Sequence, residues 1–276
     1  MKKGIRLLVA CNMIFLVLLS LSSSFFGTVS DLVYLSAFAI PFVIGWFGAK
    51  RLRYEREEER GLAESDYPRF GLSGDGVRTF LPLAVPTVAI VFVVALLTSL
   101  LLNTLGAEAT PVPDEPIWKM LIVHALTPAF LEEMLFRYLP LKVLYKYSPR
   151  AAVLLSSLFF SLIHLDLYKM PYAFIAGVVL VLADVMTESI LPSLIIHFVN
   201  NASSVLLMKY GGNQYFSIGF YSLLAVLTVI SILVIIRQRK KYSDGVRAAF
   251  CGTVEYDASV FLIGGLCVCI ALLNLM

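Results

Sequence analysis

Residues 215–236 read YFSIGFYSLLAVLTVISILVII, without one charged side chain between Tyr215 and Ile236. Wound as a helix at 1.5 Å per residue, this run is about 33 Å long, enough to cross the ~30 Å hydrocarbon layer of a bilayer. Lipid offers no partner to backbone N–H and C=O groups, so a run of this kind is predicted to be a membrane-crossing helix. Working outward, comparable apolar runs lie near 5–27, 29–49, 79–103, 118–145, 151–168, 171–187, 190–208 and 258–276. Together they predict an all-α polytopic bundle of about eight or nine spans.

Composition agrees. Of 276 residues, 59% are hydrophobic and 15% charged, and mean hydropathy is +0.85. A soluble domain carries about 25% charged residues. The gap excludes a soluble globule, a disordered chain and a secreted disulfide scaffold. The four cysteines (Cys11, Cys251, Cys267, Cys269) show neither a C-x-x-C nor a zinc spacing and read as buried small hydrophobes. A net charge of +3 is too small to make nucleic acid a partner. The expected organisation is a single integral membrane domain, 1–276, with core helices over 118–208 and a charged cytoplasmic loop over 50–78.

Loop charge sets orientation. With the N-terminus cytoplasmic, the inside segments hold eighteen Lys and Arg residues and the outside segments hold Lys119, Lys169 and Lys209. Arg137, within a span, completes the 22 in the chain. The expected location is therefore a cell membrane, multi-pass, with the N-terminus in the cytoplasm. Lys2, Lys3 and Arg6 precede the first run as in a signal peptide. That run is long and lacks an A-x-A site, so a retained helix is expected. The segment Arg56-Glu57-Glu58-Glu59-Arg60 reads as solvated, with lipid headgroups as a lesser alternative. Pro111 and Pro113 mark an external connector.

Ionisable groups inside spans are costly and point to function. Here they are Asp31, His124, Glu132, Glu133, Arg137, His164, Asp184 and His197, with Glu188 at a span end. All three histidines of the chain fall inside predicted spans. On a helix Glu133 and Arg137, four apart, share a face and can pair, while Glu132 points about 100° away and is left for general acid/base work. The bland reading of the three is an ion cluster that fixes packing. Phe160 and His164 are four apart, so the ring can pack beside the imidazole. His197 and Asn201 are also four apart and can aim two donors at a developing oxyanion, or simply bridge helices. Asn200 faces elsewhere and reads as structural. Glu132 and His197 fall near the middle of their runs, and His164 roughly 7 Å outward of its centre, so the three can share a level. His124 lies two turns, roughly 12 Å, from Glu132 and is left outside. The reading of Asp184 stays open between snorkelling and an entry path.

These blocks, Glu132-Glu133…Arg137, Phe160…His164 and His197…Asn201 in that order, resemble the CPBP family of intramembrane proteases. That family groups type II CAAX prenyl endopeptidases with bacteriocin-processing and immunity proteins. Pro128, and the run from Gly177 to Pro192, also look like the family, and the similarity covers about 118–208. A second glycine after Gly177 is missing, and Glu188 stands where a small residue is common. Those departures bear on packing more than chemistry.

The resemblance implies an intramembrane endopeptidase acting on a membrane-associated peptide or a lipidated protein, with membrane lipids as surroundings. It implies that Glu132 and His164 activate water, that His197 and Asn201 hold the oxyanion, and that Glu133, Arg137 and Phe160 orient the site. Two routes are open: a metal-free glutamate mechanism without cofactor, or Zn²⁺ held by Glu132, His164 and His197. No H-E-x-x-H helix is present, which favours the metal-free route. Gly71-Leu72-Ser73-Gly74 matches the rhomboid G-x-S-G but lies in a charged loop, and no presenilin-type Gly-x-Gly-Asp occurs. The rival readings are a proton-coupled transporter and a catalytically silent scaffold or immunity protein of the same fold. Against the transporter, no inverted pair of broken helices is seen.

Overall fold

The computed structural model describes residues 1–22, 24–25, 28–60, 68–104, 115–166, 169–255 and 257–273. It is helical, with no strand among the described residues. The helices are α1 (Lys2–Ser22), α2 (Thr28–Arg60), α3 (Gly74–Thr104), the helical run α4 (117–144), α5 (Pro149–Leu162), α6 (Lys169–Thr187), α7 (Leu191–Tyr210), α8 (Gln214–Arg237), α9 (Arg239–Ala249) and α10 (Ala258–Leu273). Two segments of α4, Ile122–Leu126 and Met134–Tyr138, are π-helical. The chain is an all-helical membrane protein. Six helical segments (Lys2–Ser22, Val29–Leu52, Gly74–Val94, Lys169–Thr187, Leu191–Tyr210, Gln214–Arg237) are long and apolar enough to cross a bilayer. The other three expected spans correspond to the π-interrupted run α4 and to the shorter apolar helices α5 and α10. The connector prolines Pro111 and Pro113 lie outside the described residues. So does the middle of the charged segment 50–78, where α2 runs as far as Arg60 and α3 starts at Gly74.

The described chain forms two compact units. The first is Met1–Arg69, Leu131–Val181 and Arg247–Met276, and the second is Phe70–Phe130 and Leu182–Val246. In the first unit α1 packs along α2, and aromatic rings knit both to α4. Phe15 meets Phe38 edge-on at 4.8 Å and Phe136 at 5.3 Å, while Trp46 stacks on Tyr138 at 5.7 Å. Without a hydrophobic force between helices in lipid, close approach relies on small residues. Gly177 of α6 is one such position: a Cβ there would sit 3.2 Å from Ser157 Cα and 3.3 Å from Arg137 Nη2. At its polar end, Asp257 precedes α10. Its carboxylate accepts from Ser259 N–H (3.1 Å) and Ser259 Oγ (2.5 Å), and takes an ion pair from Arg6 Nε at 3.0 Å. The Ser259 hydrogen bonds, then Arg6, hold its pKa below the usual carboxylate value.

In the second unit α3 packs on α8, with Phe92 against Phe220 at 5.6 Å. The amphipathic α9 is tied to the start of α3: Tyr242 OH donates to the Thr79 carbonyl (2.9 Å) and Lys241 Nζ pairs with Asp75 (2.9 Å). Helix α8 is apolar on every side and only 6% of its spanning window is buried, as expected for a helix whose solvent is lipid. Two cysteines depart from expectation. Cys11 and Cys267 are buried, but Cys251 and Cys269 are exposed, because Cys251 sits in the turn after α9 and Cys269 on an outward side of α10.

Gly177→Leu is expected to lower the melting temperature in detergent, at a cost of about 1–3 kcal/mol from overpacking, with Gly177→Ala intermediate. Asp257→Asn is expected to melt below the wild type at neutral pH. The difference arises because a lowered pKa contributes stability above the unfolded value and loses it as pH falls through the folded one. A pair of melting curves at neutral and strongly acidic pH checks it: the gap should close in acid.

Candidate functional site

In the first unit the expected pairing is made. Arg137 Nε lies 3.5 Å from Glu133 Oε2, with both side chains 0% exposed. The π turn Met134–Tyr138 decides how Arg137 is held. In such a turn the backbone bonds run five residues back, as from the Leu139 amide to the Met134 carbonyl, and a carbonyl is released for other donors. Phe136 C=O accepts from Arg137 Nη1 (3.2 Å) and from Ser156 Oγ of α5 (2.5 Å). The guanidinium carbon stands 4.1 Å from the centre of the Phe160 ring, so the buried cation faces both a carboxylate and a π face. Phe160 in turn meets the His164 ring edge-on at 5.2 Å.

His164 is placed otherwise than expected. Helix α5 ends at Leu162, and His164 sits in the following turn, its amide bonded to Ser161 C=O at 3.3 Å. Leu165 follows with φ +48°, a left-handed conformation costly for a branched side chain. The four-residue spacing still serves, since His164 Nδ1 lies 2.9 Å from Phe160 C=O. A carbonyl only accepts, so the neutral ring carries its proton on Nδ1 and its lone pair on Nε2, the tautomer needed by a base. Glu132 is half-buried while Glu133 is fully buried, which agrees with the separation expected of adjacent helical residues. It lies within electrostatic range of Tyr34 of α2.

In the second unit His197 is buried and Asn201 half-buried on α7. Asn200, expected to face elsewhere, donates from Nδ2 to Asn201 Oδ1 (3.3 Å) and is thus a partner of that residue. His124 is exposed on the π turn Ile122–Leu126. Asp31 is exposed in the first turn of α2. Asp184, far from snorkelling, is fully buried. A cavity of about 260 Å³ lies between α3, α7 and α8, with Val88, Val199, Ser203 and Leu224 in its wall. Val199 and Ser203 come two residues after His197 and Asn201, so the cavity lies behind the face that carries them.

Among the described residues, no three His, Cys, Asp or Glu side chains gather as a metal-ligand group. Sequence reasoning missed Ser156 and the freed Phe136 carbonyl; the available signal was Pro140, which has no N–H for the carbonyl four residues before it, and both π turns end two residues before a proline (Pro128, Pro140). It singled out Gly177 only through the family likeness, and its contact with Ser157 and Arg137 supplies the physical reason.

No curated protein and no solved structure matches the chain. A family model described as type II CAAX prenyl endopeptidase Rce1-like matches residues 114–203. That segment, 90 of the 276 residues, contains Glu132, Glu133, Arg137, Phe160, His164, His197 and Asn201, and over it the chain is similar to the CPBP/CAAX protease family.

Proposed function

We propose that this protein is an intramembrane endopeptidase, similar to CAAX prenyl proteases, that cleaves a peptide bond in a membrane-associated peptide or lipidated protein. The observation that carries the reading is the braced chain Glu133–Arg137–Phe160–His164, which fixes an imidazole with Nε2 as its basic atom. Glu132 is the carboxylate outside that brace. It takes a proton from water as the water oxygen bonds to the substrate carbonyl carbon, with His164 Nε2 orienting the water. The carbonyl oxygen becomes an oxyanion to which His197 and Asn201 donate. On collapse the C–N bond breaks and Glu132 returns the proton to the departing amine. Glu133 and Arg137 orient the site and do not exchange protons with the substrate. The route needs no metal. The protein sits in a cell membrane with its N-terminus in the cytoplasm, the side on which its loop cations gather.

Purified protein in lipid discs should hydrolyse a farnesylated CAAX peptide or one of a panel of membrane peptides. Glu132→Ala and His164→Ala should each lower kcat/KM by about 10²- to 10⁴-fold while the melting curve keeps its cooperativity. Unchanged turnover in both variants overturns the assignment, and proton-coupled uptake by a protein without peptidase activity overturns the reading altogether. In a chelator series, turnover should persist; loss that Zn²⁺ restores would replace the metal-free route by a metal one.

A further inference from the structure

Helix α7 starts without a cap of its own. The residue before it, Ile190, is already in the right-handed helical region and offers no side-chain acceptor. The first-turn amides of a helix have no carbonyl behind them, and in a buried segment an unmet N–H is expensive. The acceptor comes from the preceding helix: Asp184 Oδ1 takes the Ser193 N–H at 2.9 Å. Asp184 and Ser193 are both 0% exposed. The same residue holds the other side of the turn, since its backbone carbonyl accepts the Ser189 N–H at 3.1 Å. Between these two anchors Glu188 takes φ +54°, Ser189 Oγ accepts the Leu191 amide (3.2 Å), and Ser193 Oγ donates to Ile190 C=O (3.0 Å). Asp184 thus staples the hinge from both ends, and its negative charge suits the positive end of the α7 dipole.

Ser193, His197 and Asn201 are spaced by four residues, so they stand in one row along α7, over about 12 Å. The amide that Asp184 grips belongs to the residue one turn before His197 in that row. We infer that Asp184 is a positioning residue, which sets the rotation and height of α7 and thereby the aim of His197 and Asn201. It touches neither water nor substrate. The inference rests on the reading of His197 and Asn201 as oxyanion donors.

The test uses the full chain in lipid discs with isotope-labelled histidine, the His197 imidazole resonance being assigned by its loss in His197→Gln. Asp184→Ala should move the His197 signal, leave the His164 signal in place, and lower kcat at least tenfold with KM within twofold. Asp184→Asn keeps an oxygen that accepts the same N–H and should hold signal and kcat near the wild type. Asp184→Leu fills the buried site but cannot accept the Ser193 N–H, and should move His197 likewise. That variant decides the matter if Asp184→Ala does not fold. An unmoved His197 signal in the deleting variants, or an Asp184→Asn loss equal to that of Asp184→Ala, overturns the inference. Full turnover in His197→Ala with the signals shifting as stated would instead refute the oxyanion assignment and leave the staple standing.

Discussion

A guanidinium buried in a membrane helix is the constraint around which the first unit is arranged. Arg137 and Glu133 are both fully buried, and removing either partner would leave an uncompensated charge, at about 3–5 kcal/mol. The pair alone does not meet the needs of a five-donor cation. The Phe136 carbonyl and the face of Phe160 meet part of the remainder, Arg137 Nε and Nη2 keep no hydrogen-bond partner among the described residues, and room for the group exists because residue 177 has no side chain. Each of these neighbours has a second role: Phe136 packs on Phe15, Ser156 ties α5 to α4, and Phe160 sets the ring and tautomer of His164. The ion pair adds little net stability by itself, and it reaches His164 only through Phe160, whose ring and carbonyl meet the imidazole.

The second constraint is that lipid leaves no backbone group unmet without cost. The structure answers it with irregular features close in sequence to the motif residues. Pro140 has no N–H for the Phe136 carbonyl, and Ser156 Oγ donates to it instead. A helix that lacks its own cap receives one from Asp184. The left-handed residues Leu165 and Glu188 both follow directly on elements that lead to or from the motif histidines. Glu188 occupies a turn where the backbone favours glycine, so the departure noticed at this position has a conformational meaning: it is local strain in the hinge before α7.

The family match spans 114–203 and crosses from one unit to the other, whereas α1, α2, α8 and α10 lie outside it. The unmatched helices are not idle. Helix α1 buries Ile5, Leu8, Cys11 and Phe15, and α2 contributes Phe38 to the ring cluster around Phe136. Both pack against α4, and packing of this sort is open to many sequences.

Hydropathy by itself determined the class of fold, because only helices can carry runs such as 215–236 through lipid, and it separated the polar residues that matter from the apolar background. Spacing determined that Glu133 would meet Arg137 and that Phe160 would meet His164, since residues four apart are neighbours on any helical turn. Tertiary structure alone decided that Ser156 would meet the Phe136 carbonyl, that α5 would stop before His164, that Asn200 would join Asn201, and that Asp184 would cap another helix. These outcomes depend on which distant groups present an unmet donor or acceptor, and a one-dimensional pattern carries no record of that.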